Sequence, residues 1–164
     1  MRLFFLLIAL LWVFSLLSQT TKKSYFTTKY SGKYTYGEDI EKGRVGAVTL
    51  YAESDSTILF YMDLNRGASR YNMGSLYGRV TLKGDSGTFF KGVDSQTCKI
   101  NFKFSKNKLN LVSFDDASCE FGSGVYAQGE FRNNTKNTPI SFVNAEGTEF
   151  IFSETSPEAY YKRE

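Results

Sequence analysis

Short segments in which hydrophobic and polar residues alternate recur through most of the chain. In the clearest of them, residues 97–104, apolar side chains occupy the even positions and polar side chains the odd ones. This period of two is typical of a β-strand with one buried face. Residues 108–114 continue the alternation, with a slip or bulge near the end, after a turn at residues 105–107. The two segments therefore predict an antiparallel hairpin.

Similar segments, separated by Gly, Asp, Asn and Ser, predict eight strands in meander order. They are residues 29–36, 44–52, 57–64, 73–83, 87–91, 97–104, 108–114 and 125–132. A weaker pair, residues 140–143 and 149–152, predicts a C-terminal hairpin. Ser156 followed by Pro157 favours the start of a brief helix, because serine caps a helix and proline suits its first turn.

The mature chain shows no sustained helical period, which disfavours a βαβ fold. We therefore predict an all-β domain: an antiparallel meander that closes into a roughly eight-stranded barrel or barrel-like sandwich. Closure removes the exposed edges that an open sheet of this length would present. The predicted boundaries are 25–132 for the barrel-like domain and 133–164 for the C-terminal hairpin and tail.

The first nineteen residues have the build of a secretory signal peptide. A single charge at Arg2 precedes an apolar run from Leu3 to Leu17, and polar residues follow it. We predict a signal peptide over residues 1–19, with an uncleaved N-terminal anchor as the alternative. Either reading places the rest of the chain outside the cytoplasm, in the periplasm or the extracellular space.

Export changes how the two cysteines, Cys98 and Cys119, are interpreted. Disulfides persist in oxidising compartments, so we predict a Cys98–Cys119 bond that clips the central hairpin to the segment after it. Two unpaired thiols are the alternative.

The composition of the mature part, roughly 145 residues or one ordinary domain, narrows the classes of partner. The formal net charge is only +3, and together with export this makes nucleic acid an unexpected partner. Aromatic residues make up 16% of the chain. They either fill a barrel of this size or line its mouth, where they would stack on a sugar or a small hydrophobic ligand.

Few residues or motifs in the chain suit a catalytic site. The chain has no histidine, which removes histidine-based nucleophile systems and the usual catalytic zinc sites. It also lacks the glycine-rich phosphate-binding motifs. A glycosidase-like site would require a pair of carboxylates. Nothing in the spacing of the candidates forces two of them together. The candidates are Glu53, Asp55, Asp63, Asp115 and Asp116. We predict a protein that is not an enzyme and holds no cofactor or metal.

One connection between strong strands, residues 65–72, carries Arg66, Arg70 and Tyr71. Loops on a rigid scaffold often hold recognition residues. These three side chains are therefore candidates for partner binding, with a solvated loop as the alternative.

Two tetrapeptides have the pattern Ser-Gly-x-Tyr: residues 31–34 and residues 123–126, the second just beyond Cys119. The pattern resembles the short loop motif of bacterial periplasmic lysozyme inhibitors, which are small exported β-barrel-like proteins. The resemblance implies contacts with the active-site region of a lysozyme from Ser123, Gly124 and Tyr126, or from Ser31 and Tyr34.

The wider pattern from Cys119 to Phe131 also resembles a recurrent ending in small exported bacterial β proteins of unassigned role. There, Gly122, Gly124 and Gly129 have a structural explanation, since glycine permits the turns and bulges that let a last strand close a barrel.

Together these observations predict an exported, non-enzymatic binding protein. Its most specific form is an inhibitor of, or immunity protein against, a lysozyme-like cell-wall hydrolase, so that the partner is a protein. The alternatives are a lipocalin-like barrel for a small hydrophobic or sugar ligand and a structural or adhesive surface module. Contact with a membrane is expected only through an uncleaved N-terminal segment.

Overall fold

The computed structural model describes residues 24–92, 97–114, 117–135 and 137–162. The predicted signal segment, residues 1–19, lies outside the described residues. Among the described residues, no helix is long and apolar enough to cross a membrane.

Eight antiparallel strands form a closed barrel in sequence order, as the alternation predicts. The strands are β1 Gly32–Tyr36, β2 Val45–Ala52, β3 Thr57–Asn65, β4 Met73–Lys83, β5 Ser86–Lys91, β6 Cys98–Ser105, β7 Lys108–Ser113 and β8 Gly129–Asn133. The last strand returns to the first, with Tyr34 opposite Asn133 and Thr35 opposite Arg132. The all-β prediction is confirmed, and the sheet closes as a barrel.

Two predicted strands begin later than the alternation indicates. The first starts at Gly32 because Phe26–Tyr30 forms a 3₁₀ helix, which ends where the Ser31 backbone N–H donates to the Thr28 carbonyl oxygen at 3.0 Å. The last starts at Gly129 instead of residue 125. Residues 125–128 keep their alternation, but they lie outside the sheet.

Large apolar side chains fill the barrel interior. They include those of Tyr34, Val48, Leu50, Ile58, Phe60, Met62, Leu76, Val80, Ile100, Phe102, Phe104, Leu109, Leu111 and Phe131. Along β6 the burial alternates strictly, so that the even positions predicted to be apolar and buried do point inward. The interior is therefore a packed core.

A second apolar layer lies on the outer wall of the barrel. It is built by a hairpin of β9 Ser141–Val143 and β10 Glu149–Ile151, followed by helix α1 Pro157–Tyr161. The side chains buried between this layer and the outer faces of β3 and β4 are those of Leu59, Tyr61, Tyr77, Phe142, Phe152 and Tyr160. The C-terminal segment thus forms its own two-stranded sheet and covers the barrel from outside.

An ion-pair group holds this outer layer at one point. The Arg79 guanidinium of β4 donates to both carboxylate oxygens of Glu53, at 2.6 and 2.7 Å, and to Glu158 of α1 at 3.2 Å. A forked guanidinium–carboxylate pair is stronger and more directional than a simple ion pair. Arg79 therefore fixes α1 relative to the barrel wall.

The seam between β4 and β5, like that between β8 and β1, has few paired residues. Within β4 and β5, which are fully described, only Leu82–Gly87 and Lys83–Ser86 are paired, so much of the β4 edge lacks a neighbouring strand. The Tyr161 hydroxyl of α1 substitutes for one there. It accepts from the Tyr77 N–H at 3.0 Å and donates to the Tyr77 carbonyl oxygen at 3.0 Å.

Replacing Tyr161 with Phe removes one hydroxyl and leaves both Tyr77 backbone groups without this partner. We expect the free energy of unfolding to fall by about 1–3 kcal/mol, because buried backbone groups that lose a partner carry a desolvation penalty. Urea denaturation measures the change. The control is Tyr126→Phe, which removes an exposed hydroxyl; equal losses in the two variants would contradict the role assigned to Tyr161.

The predicted disulfide is present. Cys98, at the start of β6, is bonded to Cys119, which lies in a one-turn 3₁₀ helix over Ala117–Cys119. The bond closes a loop with a sequence separation of 21 residues. It ties the long β7–β8 connection to the barrel wall.

Replacing both cysteines with Ala should lower the free energy of unfolding by about 3 kcal/mol, since the crosslink restricts the unfolded chain. Denaturation of the oxidised wild type and of the double variant measures the difference. The reduced wild type, which has no crosslink, is then compared with the double variant. If the double variant is still less stable, the loss comes from packing of the two side chains, both of which are fully buried.

Candidate functional site

Three connections meet at the same end of the barrel: residues 37–44 between β1 and β2, residues 66–72 between β3 and β4, and residues 114–128 between β7 and β8. In an antiparallel meander every second connection lies at the same end, so the topology brings these distant segments together. The contacts between them determine whether they form one surface.

The second and third of these loops are joined at the Ser123 carbonyl oxygen. It accepts a hydrogen bond from the Asn72 side-chain amide at 2.6 Å and one from Arg66 Nη1 at 3.4 Å. The Gly122 backbone N–H also donates to the Met73 carbonyl oxygen at 2.9 Å. The Ser-Gly-x-Tyr tetrapeptide of residues 123–126 is therefore fixed against the arginine-bearing loop.

The tip of the third loop is a tight turn in which the Val125 N–H donates to the Gly122 carbonyl oxygen at 2.9 Å. Gly124 has a φ of +77°, and its Cα faces the Arg66 guanidinium, so that an added Cβ would lie 2.8–3.0 Å from the guanidinium atoms. The left-handed conformation favours glycine here, and an added Cβ would also displace the end of the Arg66 side chain.

The first and second loops are joined through their backbones and through one side-chain bond. The Ala68 N–H donates to the Ile40 carbonyl oxygen at 3.0 Å. The Tyr71 hydroxyl donates to the Glu41 carboxylate, with oxygens at 2.7 and 2.9 Å. This hydrogen bond raises the pKa of the Tyr71 hydroxyl. The Tyr71 side chain stays exposed beside it.

Residues 125–128 lie across the end of the barrel. Val125 and Ala127 are buried in the barrel core, whereas Tyr126 is 47% exposed. The Arg44 guanidinium carbon lies 5.9 Å from the centre of the Tyr126 ring and 5.7 Å from that of Tyr36. The inward pair anchors the segment, and Arg44 holds the outward tyrosine over the first loop.

The third loop is also anchored on its other side. Cys119 is bonded to Cys98, and the neighbouring Glu120 pairs with Lys91 of β5 at 2.8 Å. Both anchors precede the turn at residues 122–125. The turn therefore projects from a segment that is held at both ends.

We call this composite surface the loop-end surface. Its exposed or half-exposed members are Arg44, Arg66, Arg70, Tyr71, Ser123 and Tyr126. The sequence selected five of these six, and the fold brings them to one place although Arg66 and Ser123 are 57 positions apart.

Comparison with models of known protein families, with curated protein sequences and with solved structures found no match. The geometry of the loop-end surface and its chemistry therefore carry the functional argument.

The other Ser-Gly-x-Tyr tetrapeptide, residues 31–34, lies elsewhere. Tyr34 is 1% exposed in the barrel core, and its hydroxyl donates to the Tyr30 carbonyl oxygen at 3.1 Å. The Ser31 hydroxyl accepts from the Ala52 N–H at 3.1 Å. In this structure both side chains support the opposite end of the barrel, and they are not part of the loop-end surface.

Sequence reasoning did not select Arg44 or Asn72 for the site. Asn72 stood within the loop that the sequence marked, and its amide makes the shorter of the two bonds to Ser123. Arg44 was assigned to a predicted strand that begins one residue later, at Val45. The only feature of the sequence that could have marked Arg44 as a site residue was its charge beside a strand boundary.

The candidate carboxylates are placed in different surroundings. Glu53 is occupied by Arg79, and an Asp55 oxygen accepts from the Phe26 N–H at 2.9 Å. Glu53 lies beside Thr57, and Asp63 is six residues further along β3, roughly 20 Å away at the usual rise per strand residue. That separation exceeds what a glycosidase pair requires. Asp115 and Asp116 lie outside the described residues.

Side chains that could bind a metal ion are also far apart among the described residues. In the ranges that the structure covers, no three His, Cys, Asp or Glu side chains are grouped closely enough to hold a metal ion.

Replacing Gly124 with Ala should destabilise the protein more than replacing Gly147 with Ala. Gly147 also has a positive φ, +84°, but an added Cβ there meets nothing within 4 Å, so that its cost is backbone strain of about 1 kcal/mol. At Gly124 the displaced Arg66 adds to that strain. Urea denaturation of the two variants measures the difference, and equal losses would show that Arg66 is not held against the turn.

Proposed function

We propose that this chain is an exported, non-enzymatic binding domain that docks a protein partner through the loop-end surface. The observation that carries the proposal is the fixation of three loops by direct bonds. The second and third loops meet at the Ser123 carbonyl oxygen, and the first and second meet at the Ile40 carbonyl oxygen and the Glu41 carboxylate. A surface that is already ordered loses little conformational entropy when it binds, which leaves more of the interaction energy for affinity.

The exposed side chains are of the types that dominate protein interfaces. Tyrosine and arginine are enriched among residues whose removal costs most binding energy. Tyr71 and Tyr126 are 41% and 47% exposed, and Arg70, immediately before Tyr71 in the chain, is exposed as well. Hydrogen bonding or cation–π contact already orients both rings, so that they present rigid contact area.

The most specific form of the proposal is inhibition of a lysozyme-like cell-wall hydrolase, or immunity against one. The Ser-Gly-x-Tyr turn of residues 123–126 projects from the surface and carries the resemblance to periplasmic lysozyme inhibitors. Glycosidase clefts of the ordinary type hold a pair of carboxylates. Arg66 lies directly against this turn, and its positive charge complements such a cleft.

The packed interior favours this proposal over a ligand-carrying barrel. Side chains fill the space between the strands, and the cavity between Leu64, Val125 and Phe131 at the loop end measures about 10 Å³. That volume suits about one water molecule. A structural or adhesive module stays an alternative, which the experiment below distinguishes through the effect of single loop residues.

Export rests on two supports. The N-terminal pattern is that of a secretory signal, and a buried disulfide is typical of proteins that fold in an oxidising compartment. We therefore place the interaction in the periplasm or outside the cell.

The test measures peptidoglycan hydrolysis by a panel of lysozymes in the presence of the purified, oxidised protein. We expect inhibition of at least one member. Arg66→Ala and Tyr126→Ala should each weaken it by at least about tenfold, the loss typical of a central interface residue. Circular dichroism checks that each variant is folded.

Phe26→Ala is the matched control, because Phe26 is 55% exposed at the opposite end of the barrel. It should inhibit as the wild type does. If no lysozyme is inhibited, the inhibitor form of the proposal is wrong. If inhibition occurs but is equally weakened by the control, the loop-end surface is not the binding site.

A further inference from the structure

A groove outside the loop-end surface contains polar groups that the fold does not use. It lies on the outer wall, between the outward faces of β1 to β3 and the segment that leads into β9. Its volume is about 540 Å³, within the range of small-molecule sites. The inward faces of the same strands are core, so the groove and the barrel interior are separate spaces.

The register of the sheet explains the floor of this groove. Thr35, Ala47, Asp63 and Ser75 lie opposite one another in a row across β1 to β4. Met62, the neighbour of Asp63, points into the core, so this row faces outward. Ala47 and Ser75 on either side are small, and Asp63 is therefore the largest group in the centre of the row.

Asp63 lies where three depressions meet. It lines the main groove and two adjoining ones of about 250 and 490 Å³. In the described part of the chain, no ion pair or side-chain hydrogen bond satisfies its carboxylate. Burial raises the pKa of Asp63, and the Lys33 ammonium partly opposes that shift. Asp63 is thus a half-buried carboxylate that no side chain of the described residues bonds directly.

A second group nearby is also unsatisfied. The Tyr61 hydroxyl is fully buried and makes no hydrogen bond of ordinary geometry within the described chain. Weaker polar interactions with the Ser75 side chain and the Ala145 backbone lower its pKa in part. Burial, followed by the charge of Asp63, raises the pKa of Tyr61 to about 12. A buried hydroxyl without a partner is uncommon in proteins and carries a penalty.

Two unsatisfied polar groups on neighbouring outward positions of one strand, beside a groove of ligand size, indicate a binding site. The side chains of Tyr61 and Asp63 both line this groove. A ligand that donates to Asp63 and bonds to Tyr61 would remove both penalties.

The remaining lining indicates the class of ligand. Hydroxyl and amide groups come from Thr49, Thr138, Ser141 and Asn137, and apolar contact comes from Pro139 and Val143. Lys33 balances the single charge of Asp63, which disfavours a strongly cationic ligand. Sugars combine neighbouring hydroxyl donors with apolar C–H faces and carry no net charge, and a carboxylate can accept from two adjacent hydroxyls.

We propose that the groove around Asp63 is a saccharide-binding site, distinct from the loop-end surface and independent of its function. Asp63 accepts hydrogen bonds from a pair of ligand hydroxyls, and Tyr61 supplies a further bond at the same end.

The test is titration of the ¹⁵N-labelled, oxidised protein with glucose, galactose, mannose, N-acetylglucosamine and the disaccharide chitobiose, observed by amide chemical shifts. We expect at least one sugar to shift signals of residues that line the groove. Asp63→Asn should weaken that binding by at least about tenfold, since hydrogen bonds to a charged group are the stronger kind. Tyr61→Phe should weaken it a few-fold.

Asp85→Asn is the matched control: its exposed carboxylate pairs with Lys103 at the β4–β5 turn, and binding should not change. Because the groove groups are unsatisfied, Asp63→Asn and Tyr61→Phe should melt at the same temperature as the wild type or higher.

Three outcomes would overturn the proposal: no shift with any of the sugars, shifts confined to residues outside the groove, or a melting temperature of Asp63→Asn clearly below that of the wild type. Ethanolamine serves as a cationic probe. Shifts with it and none with the sugars would assign a different class of ligand.

Discussion

Closure of the sheet is the constraint on which the rest of this structure depends. Each barrel strand must find a partner for its backbone groups on both sides, because an unpaired edge in a buried position is costly. The return of β8 to β1 meets this requirement on one side. Between β4 and β5 the strands diverge, and Tyr161 of the C-terminal helix supplies the missing donor and acceptor. The C-terminal segment is thus coupled to a sparsely paired seam of the barrel.

Closure also creates the loop-end surface. A meander places alternate connections at one end of the filled barrel. Val125 and Ala127 enter the core there, and the loops contact one another through the Ser123 carbonyl oxygen and through the backbone of Ile40. The disulfide at Cys119 anchors the longest of them. The scaffold and its loops thus form a rigid platform, and under the proposed function a few exposed side chains on it contact the partner.

The outer wall of the barrel combines close aromatic packing with polar groups that have no partner in the described residues. Where the C-terminal layer covers β3 and β4, aromatic rings stack closely, with Tyr61 and Phe142 centred 4.3 Å apart. Just beyond that layer, Asp63 and the Tyr61 hydroxyl keep polar groups that the fold does not satisfy. Stability and function commonly conflict at such positions, because a group prepared for a ligand is unsatisfied without it. The same strand therefore contributes to a tightly packed layer and to an open groove.

The alternation of residues was enough to predict the strands, their antiparallel order and the barrel, because side chains of a half-buried strand must segregate by face. Two cysteines and a predicted export signal were enough to predict the disulfide. Local pattern did not distinguish the two Ser-Gly-x-Tyr tetrapeptides. Tyr34 points inward because β1 begins at Gly32, whereas Tyr126 points outward because its neighbours Val125 and Ala127 are the ones that enter the core. Only the tertiary structure decided which arginines meet Ser123 and that Asp63 lies unpaired in a groove, since both depend on register and on contacts between residues far apart in the chain.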